Sequence, residues 1–249
     1  MPSFSVLVPV YNEAKTIKPV LDTVSSMDFI DQVIVVDDGS KDGSFEIIQT
    51  HKSPKIQSYQ LSENQGKTAA INFALKHATT DIVAIQDADL EYDPAELQEM
   101  LIPIEKGVAD VVYGSRFLVK KASRVLYFYH YLANKFITFF SNCLTNYNMT
   151  DIETCYKVFR REILDDYSFS SKGFGMEVEL TALFAHLNCR VYECPISYYG
   201  RTYEDGKKIG LKDGIWALIY IVFYNIIAPK CAAFKQQKRM WNEKSPQNG

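Results

Sequence analysis

Three apolar runs, each ending in a polar cluster, decide most of what this chain can fold into. Phe4 to Pro9 runs into Tyr11-Asn12-Glu13, Gln32 to Asp37 into Asp38-Gly39-Ser40, and Ile82 to Ile85 into Asp87-Ala88-Asp89. Short runs rich in Val and Ile, bounded by polar residues, read as strands buried on both faces. Helical spacing follows the first run at Ala14, Ile17, Val20, Leu21 and Val24. Further helices are expected over 44–50 and 67–78, with strands near 56–61 and 109–114. Asp93-Pro94-Ala95-Glu96 supplies an N-cap, a proline at the first helical position and a glutamate two residues on. Strands alternating with helices predict an α/β fold built on a mostly parallel sheet with crossover helices. In such sheets ligands bind beyond the carboxyl ends of the strands, where all three polar clusters fall.

The acidic triplet is the most chemically pointed of the three. In extended chain Asp87 and Asp89 leave on the same side, and two carboxylates aimed at one point need a cation or a proton between them. A hard divalent ion, completed by phosphate oxygens, is the usual resolution.

A chain of 249 residues buries a substantial core as one large domain or two small ones. A net charge of −3 argues against nucleic acid as the main partner. Its five cysteines (143, 155, 189, 194 and 231) form no CxxC pair and its four histidines are scattered. Neither a zinc site nor a disulfide framework is expected, and a reducing, cytoplasmic setting fits best. The N-terminus enters a strand without the basic and apolar regions of a secretory signal.

Beyond about residue 120 the pattern changes. Leu126 to Phe140 is an aromatic-rich helix preceded by Lys120, Lys121 and Arg124. The stretch from Asp151 to Phe159 leads into a helix expected near Arg160. A Gly173-Phe174-Gly175 turn precedes a helix carrying Glu177 and Glu179, and 190–199 reads as a late strand. Gly214 to Ala228 is almost wholly apolar, but its ~15 residues fall short of the ~20 a spanning helix needs. Trp216, Tyr220 and Tyr224 suit a membrane interface, with Lys230, Lys235, Lys238 and Arg239 behind them. Residues from Asn242 on read as a loose polar tail. The organisation expected is 1–212 as the main domain (halves 1–118 and 119–212), an apolar helix over 213–234 and a polar tail over 235–249.

Several motifs fail. Gln65-Gly66-Lys67-Thr68 ends like a phosphate-binding loop, but Leu61 stands where its first glycine belongs. No GxGxxG follows the first strand and no GxSxG is present, which removes dinucleotide and nucleophile-elbow readings. The calcium-loop-like run from Asp38 carries Gln49 instead of glutamate at its twelfth position.

Pro9-Val10-Tyr11-Asn12-Glu13, Asp37-Asp38-Gly39-Ser40, Asp87-Ala88-Asp89 and Ser115-Arg116-Phe117 together resemble the inverting family 2 glycosyltransferases of GT-A fold. Thr150 to Glu162, Glu177-Val178-Glu179, Val191 to Ser197 and Arg201 to Lys207 are similar to motifs of the branch that makes dolichyl- or polyprenyl-phosphate sugars. The resemblance implies that Pro9, Tyr11, Glu13, Val36 and Asp38 hold the base and ribose, while Asp87 and Ala88 touch the nucleotide. It implies that Asp89, with Asp87 and Glu91, binds Mg2+ or Mn2+ on the diphosphate, and that Arg116, Arg201 and Lys207 contact phosphates. Asp151 is the residue expected to orient the acceptor or to act as base.

Cys155-Tyr156-Lys157 departs from the mannosyl branch toward the glucosyl one, whereas Arg201 with Lys207 is mannosyl-like. The two departures point opposite ways and leave the donor open between GDP-mannose, which the resemblance favours, and UDP-glucose; a polyprenyl or dolichyl phosphate is the acceptor it implies. A membrane surface or a small anchoring subunit would bring that acceptor to the enzyme at the cytosolic membrane face. The alternatives are transfer to a glycan or other hydroxyl, and a non-catalytic nucleotide-binding subunit.

Overall fold

A computed structural model of the protein describes residues 2–118, 127–173, 175–200 and 211–244. In chain order the elements are β1 (Phe4–Val10), α1 (Ile17–Ser26), β2 (Gln32–Asp37), α2 (Ser44–Thr50), β3 (Ile56–Gln60), α3 (Lys67–His77), β4 (Ile82–Ile85) and α4 (Leu97–Glu105). They continue with β5 (Val111–Ser115), α5 (Phe128–Thr145), β6 (Lys157–Arg160), α6 (Gly175–His186), β7 (Val191–Pro195), α7 (Leu211–Val222) and α8 (Ala232–Lys244). Among the described residues seven strands form one sheet in the order β3-β2-β1-β4-β6-β5-β7. All neighbours are parallel except β6, which runs against both β4 and β5. Strand β1 lies between β2 and β4, so the crossover direction reverses there and the loops at the carboxyl ends of β1 and β4 part to leave a crevice.

Residues alternate along each strand between two cores, as the two-residue period of a strand requires. Val6, Val8, Val33, Val35 and Ala84 face α1, α2 and α4, whereas Leu7, Ile34, Val36, Val83 and Ile85 face α3, α6, α7 and α8. Burial on both faces explains why these strands read as unbroken apolar runs.

The sequence reading misses β6 and places a helix near Arg160. There the chain forms the four-residue strand Lys157–Arg160 and only a 3-10 turn, Arg161–Leu164. A segment with a charge at each end carries no strand pattern of its own, and it becomes a strand because β4 and β5 offer it two free edges.

The apolar C-terminal segment has two faces. On α7 and the π-turn that follows it, Ala217, Ile221 and Tyr224 are buried against the domain, while Ile215, Trp216, Ile219, Ile226 and Ile227 are exposed. Among the described residues no single helix is long and apolar enough to cross a membrane. The polar segment beyond it is not loose up to Lys244. Helix α8 turns back on the domain, buries Phe234 and Trp241, and its Gln237 Nε2 donates to the Ile163 carbonyl at 2.7 Å. Lys244 closes the helix with a 2.8 Å ion pair to Asp165.

Candidate active site

At the carboxyl ends of β1 and β2 two loops are laced into one wall. Ser40 Oγ accepts from the Asn12 amide, Asn12 Oδ1 from the Lys41 amide, and Ser44 Oγ from the Glu13 amide. Tyr11 is exposed at the rim of this wall and the Glu13 carboxylate accepts from the Thr16 hydroxyl at 2.8 Å. Pro9 is half-buried within β1. Asp38 is buried and its two oxygens accept from the amides of Gln65 and Gly66 at 2.8 and 2.7 Å. Burial pushes its carboxyl up despite those bonds. Asp38 thus braces the loop that delivers Lys67. Gly39 lies under that loop at φ +68°, and a Cβ there would meet the Glu63 carbonyl carbon at 2.8 Å, so glycine is obligatory. The Val36 side chain is fully buried in the core, which leaves a nucleotide only main-chain atoms at that position.

Strand β4 ends at Ile85, and Leu90 adopts a left-handed φ of 61°. The three acids after the strand do not converge. Asp87 pairs with the Lys67 ammonium at 2.7 Å, Asp89 Oδ1 accepts from the Glu91 amide at 3.1 Å, and Glu91 Oε2 accepts from the Tyr198 hydroxyl at 2.8 Å. Ala88 is buried between them. Among the described residues no three His, Cys, Asp or Glu side chains gather into a metal cage. A hard divalent ion arriving on a diphosphate would need only one such carboxylate, and Asp89 is the expected one. Such ions are commonly held by one or two carboxylates plus substrate phosphates.

Lys67 is at the centre of the crevice although the motif containing it is no phosphate-binding loop. Besides Asp87 it faces Glu177 Oε1 at 3.5 Å. Burial works against its charge, but the Asp87 and Glu177 carboxylates outweigh it and hold the proton affinity well above that of an ordinary lysine. The Cys155 thiol beside them is pushed up by burial and by Asp87, which keeps it neutral and removes it as a nucleophile. Glu177 is buried in the first turn of α6, whereas Glu179, two residues on, turns away. Its carboxylate accepts from the amides of Ser170 and Ser171 and from the Tyr167 hydroxyl.

The other wall begins just past β5. Arg116 reaches Asp151 through Nε and Nη2 at 2.7 and 2.8 Å, and its amide donates to the same carboxylate. Asp151 is sealed from solvent, so its expected role toward an acceptor gives way to a positioning role on Arg116. Glu193 on β7 anchors the loop by accepting from the amides of Thr150 and Asp151. The guanidinium stacks over the Tyr198 ring at 5.2 Å, and Tyr198 leans on Tyr92, which stacks on Tyr156. Arg201, Lys207, Lys120, Lys121 and Arg124 lie outside the described residues.

Sequence reasoning missed Glu153 and the Tyr92–Tyr156–Tyr198 stack, set Lys67 aside with the failed phosphate loop, and singled out Lys157 only for its bearing on the donor. Lys67 carried a local signal, as a lysine directly after a glycine at a helix start. Lys157 is fully buried, with its ammonium on the carbonyls of Ile152 and Thr154 and over the Tyr113 ring. Burial pulls its proton affinity below the ordinary lysine value.

A mixed seven-stranded sheet, with acids and cations gathered at its switch point, is the arrangement of the GT-A fold. The family profile described as glycosyl transferase family 2 matches residues 5–168, and the chain belongs to that family. It is 28% identical over 223 residues to glycosyltransferase AglJ of Haloferax volcanii, covering 88% of this chain and 70% of that one. It is 29% identical over 215 residues to the undecaprenyl-phosphate 4-deoxy-4-formamido-L-arabinose transferase of Proteus mirabilis. That match covers 84% of this chain but spans only 63% of the relative's length. Among solved structures, glucosyl-3-phosphoglycerate synthase of Mycobacterium tuberculosis with Mn2+, UDP and phosphoglyceric acid superposes with a TM-score of 0.70 at 18% identity, covering 91% of this chain and 79% of that one. The same enzyme with UDP alone gives 0.69 at 19% identity, covering 90% and 80%. At such identity these structures support the fold alone.

Proposed function

We propose that the protein is a metal-dependent, inverting hexosyltransferase that moves a sugar from a nucleotide diphosphate to a polyprenyl or dolichyl phosphate. Mannose is favoured as the sugar and glucose is next. The observation that carries the reading is the Lys67 ammonium, held between Asp87 and Glu177 at the carboxyl end of β4. A cation fixed there, at the first turn of α3 and largely buried, stabilises the charge that develops on a departing diphosphate. A divalent ion bound at Asp89 would supply further neutralisation of the leaving group.

In the displacement, an acceptor phosphate oxygen forms a bond to the anomeric carbon as the bond from that carbon to the diphosphate oxygen breaks, with inversion. An acceptor phosphate is already ionised at neutral pH, so the buried Asp151 need not serve as base. Residues 1–118 are assigned to the nucleotide and 119–212 to the acceptor. The relative named for undecaprenyl phosphate supports a lipid acceptor.

The exposed side chains of α5 (Phe128, Tyr129, Leu132, Phe136 and Phe139) and of α7 (Trp216 and Ile219) support peripheral attachment to the cytosolic face of a membrane. Here the helices lie on the surface and present aromatic residues to it.

The test is incubation of the protein with labelled GDP-mannose or UDP-glucose, Mn2+ and polyprenyl phosphate, followed by organic extraction. Label is expected in the lipid phase and is expected to vanish with Asp89→Ala. Label found only in a water-soluble glycan would refute the lipid acceptor.

A further inference from the structure

Two carboxyl oxygens in the crevice are buried without any hydrogen-bond partner, Glu153 Oε1 and Glu177 Oε2. They come from different elements, the loop before β6 and the first turn of α6. In that loop Asp151 holds Arg116, and the Cys155 thiol lies 3.8 Å from Glu177 Oε1. Glu153 stands between them in sequence, near enough to Glu177, Lys157 and Arg116 for their charges to bear on its carboxyl. Glu177 is 3% exposed, and its other oxygen is held by Lys67.

Leaving one buried polar atom unpaired costs a folded protein roughly 1–3 kcal/mol, and two in one crevice point to a ligand that pairs them. We propose that Glu153, together with Glu177, reads the hydroxyl groups of the transferred sugar and makes this a site for a neutral sugar ring. This rests on the transferase reading and adds to it the residue that selects the sugar.

The chemistry favours a hydroxyl over the other groups a nucleotide sugar and a lipid phosphate bring. A phosphate or a uronic acid carboxylate has only acceptors to offer, and Glu177 Oε2, the oxygen that Lys67 does not hold, has no proton to give them. A hydroxyl both donates and accepts, so it satisfies an ionised and a protonated carboxyl at once.

Glu177 is paired with the Lys67 ammonium, and Glu153 is the protonated carboxyl of the two. Burial first, and Glu177 next, push the Glu153 carboxyl up to about 8, with Lys157 and Arg116 opposing and Asp151 adding to the rise. Glu153 therefore carries its proton below that pH and donates to the ring, and it loses that proton and its donor role above it. The charged groups facing it are Glu177 from α6, Lys157 from β6, Arg116 beyond β5 and Asp151 on its own loop. A sugar bearing a carboxylate meets acidic groups on two sides, which is the physical basis for excluding hexuronate donors.

The experiment is calorimetric titration of the full chain with GDP-mannose, UDP-glucose and UDP-glucuronate in Mn2+, with GDP and UDP alone as controls. Glu153→Ala is expected to weaken the preferred sugar nucleotide by about tenfold, the worth of one buried hydrogen bond, and to leave the nucleoside diphosphate unchanged. Glu153→Gln, which keeps a donor and an acceptor, is expected to restore most of that loss. It should also hold its affinity from pH 7 to 9, where the wild type weakens. Wild-type protein is expected to bind the glucuronate donor least.

Equal weakening of the sugar nucleotide and of the bare diphosphate in Glu153→Ala would mean a structural role and overturn the proposal, as would no weakening at all. A wild type that binds GDP and UDP but gains nothing from the attached sugar also overturns it. If the wild type binds no nucleotide of any kind, the transferase reading falls first and this inference with it.

Discussion

Arg116 and Asp151 meet through two side-chain hydrogen bonds of 2.7 and 2.8 Å, and Asp151 has no exposed surface. The guanidinium is held flat between that carboxylate and the Tyr198 ring, so one edge is fixed and its position no longer depends on its own rotamers. An arginine held this way can meet an anionic ligand without ordering itself at the moment of binding.

Removing Asp151 leaves a cation in a largely desolvated place. Asp151→Ala is expected to cost about 3–5 kcal/mol of stability, read from urea denaturation. The double change Arg116→Met with Asp151→Leu should cost markedly less, because it leaves no buried charge unpaired. Equal losses in the two variants would show that packing, and not the uncompensated charge, sets the cost.

Lys67 is expected to matter through charge. Lys67→Met keeps the stem and removes the ammonium, exposing Asp87 and Glu177 to each other across the crevice. A fall in kcat of roughly 10²–10³ is expected, the scale seen when a single preorganised electrostatic donor is lost. Lys67→Arg should recover part of it. Turnover unchanged in the methionine variant would remove Lys67 from the chemistry.

The apolar faces of α5 and α7 predict their own measurement. Phe136 and Trp216 are each 56% exposed, so a charge there disturbs no core. Phe136→Glu with Trp216→Glu is expected to abolish flotation with anionic phospholipid vesicles while leaving the thermal midpoint within about two degrees of wild type, as for surface substitutions in general. Flotation equal to wild type would place the membrane contact elsewhere.

How far the residues could be read in advance divides along physical lines. β1, β2 and β4 were legible because strands covered on both faces carry continuous apolar runs, and the helix starting at Ser44 because its flanking turns are polar and rich in glycine. The ligand end was legible for the same reason, since polar residues directly after a buried strand have only the sheet edge to occupy. The four-residue β6 was not, because its partners lie some seventy and forty residues away in sequence, and only their edges make it a strand. Nor was the docking of α8, whose mostly polar surface hides a buried tryptophan and a glutamine bonded to a carbonyl of a distant turn.

The site divides in the same way. Which acids stand at the strand ends was determined by the chain itself, because local order of apolar and polar residues is enough to place them there. Which partner each acid takes was decided only by the tertiary structure. Asp38 went to the amides of a loop, Asp87 to a lysine twenty residues earlier, Asp151 to an arginine thirty-five residues earlier, and Glu153 and Glu177 were each left with a buried oxygen that no hydrogen bond reaches. Charge pairing acts over a few ångströms in space and is indifferent to distance along the chain, so composition and spacing name the charged residues and only the fold can say which of them meet.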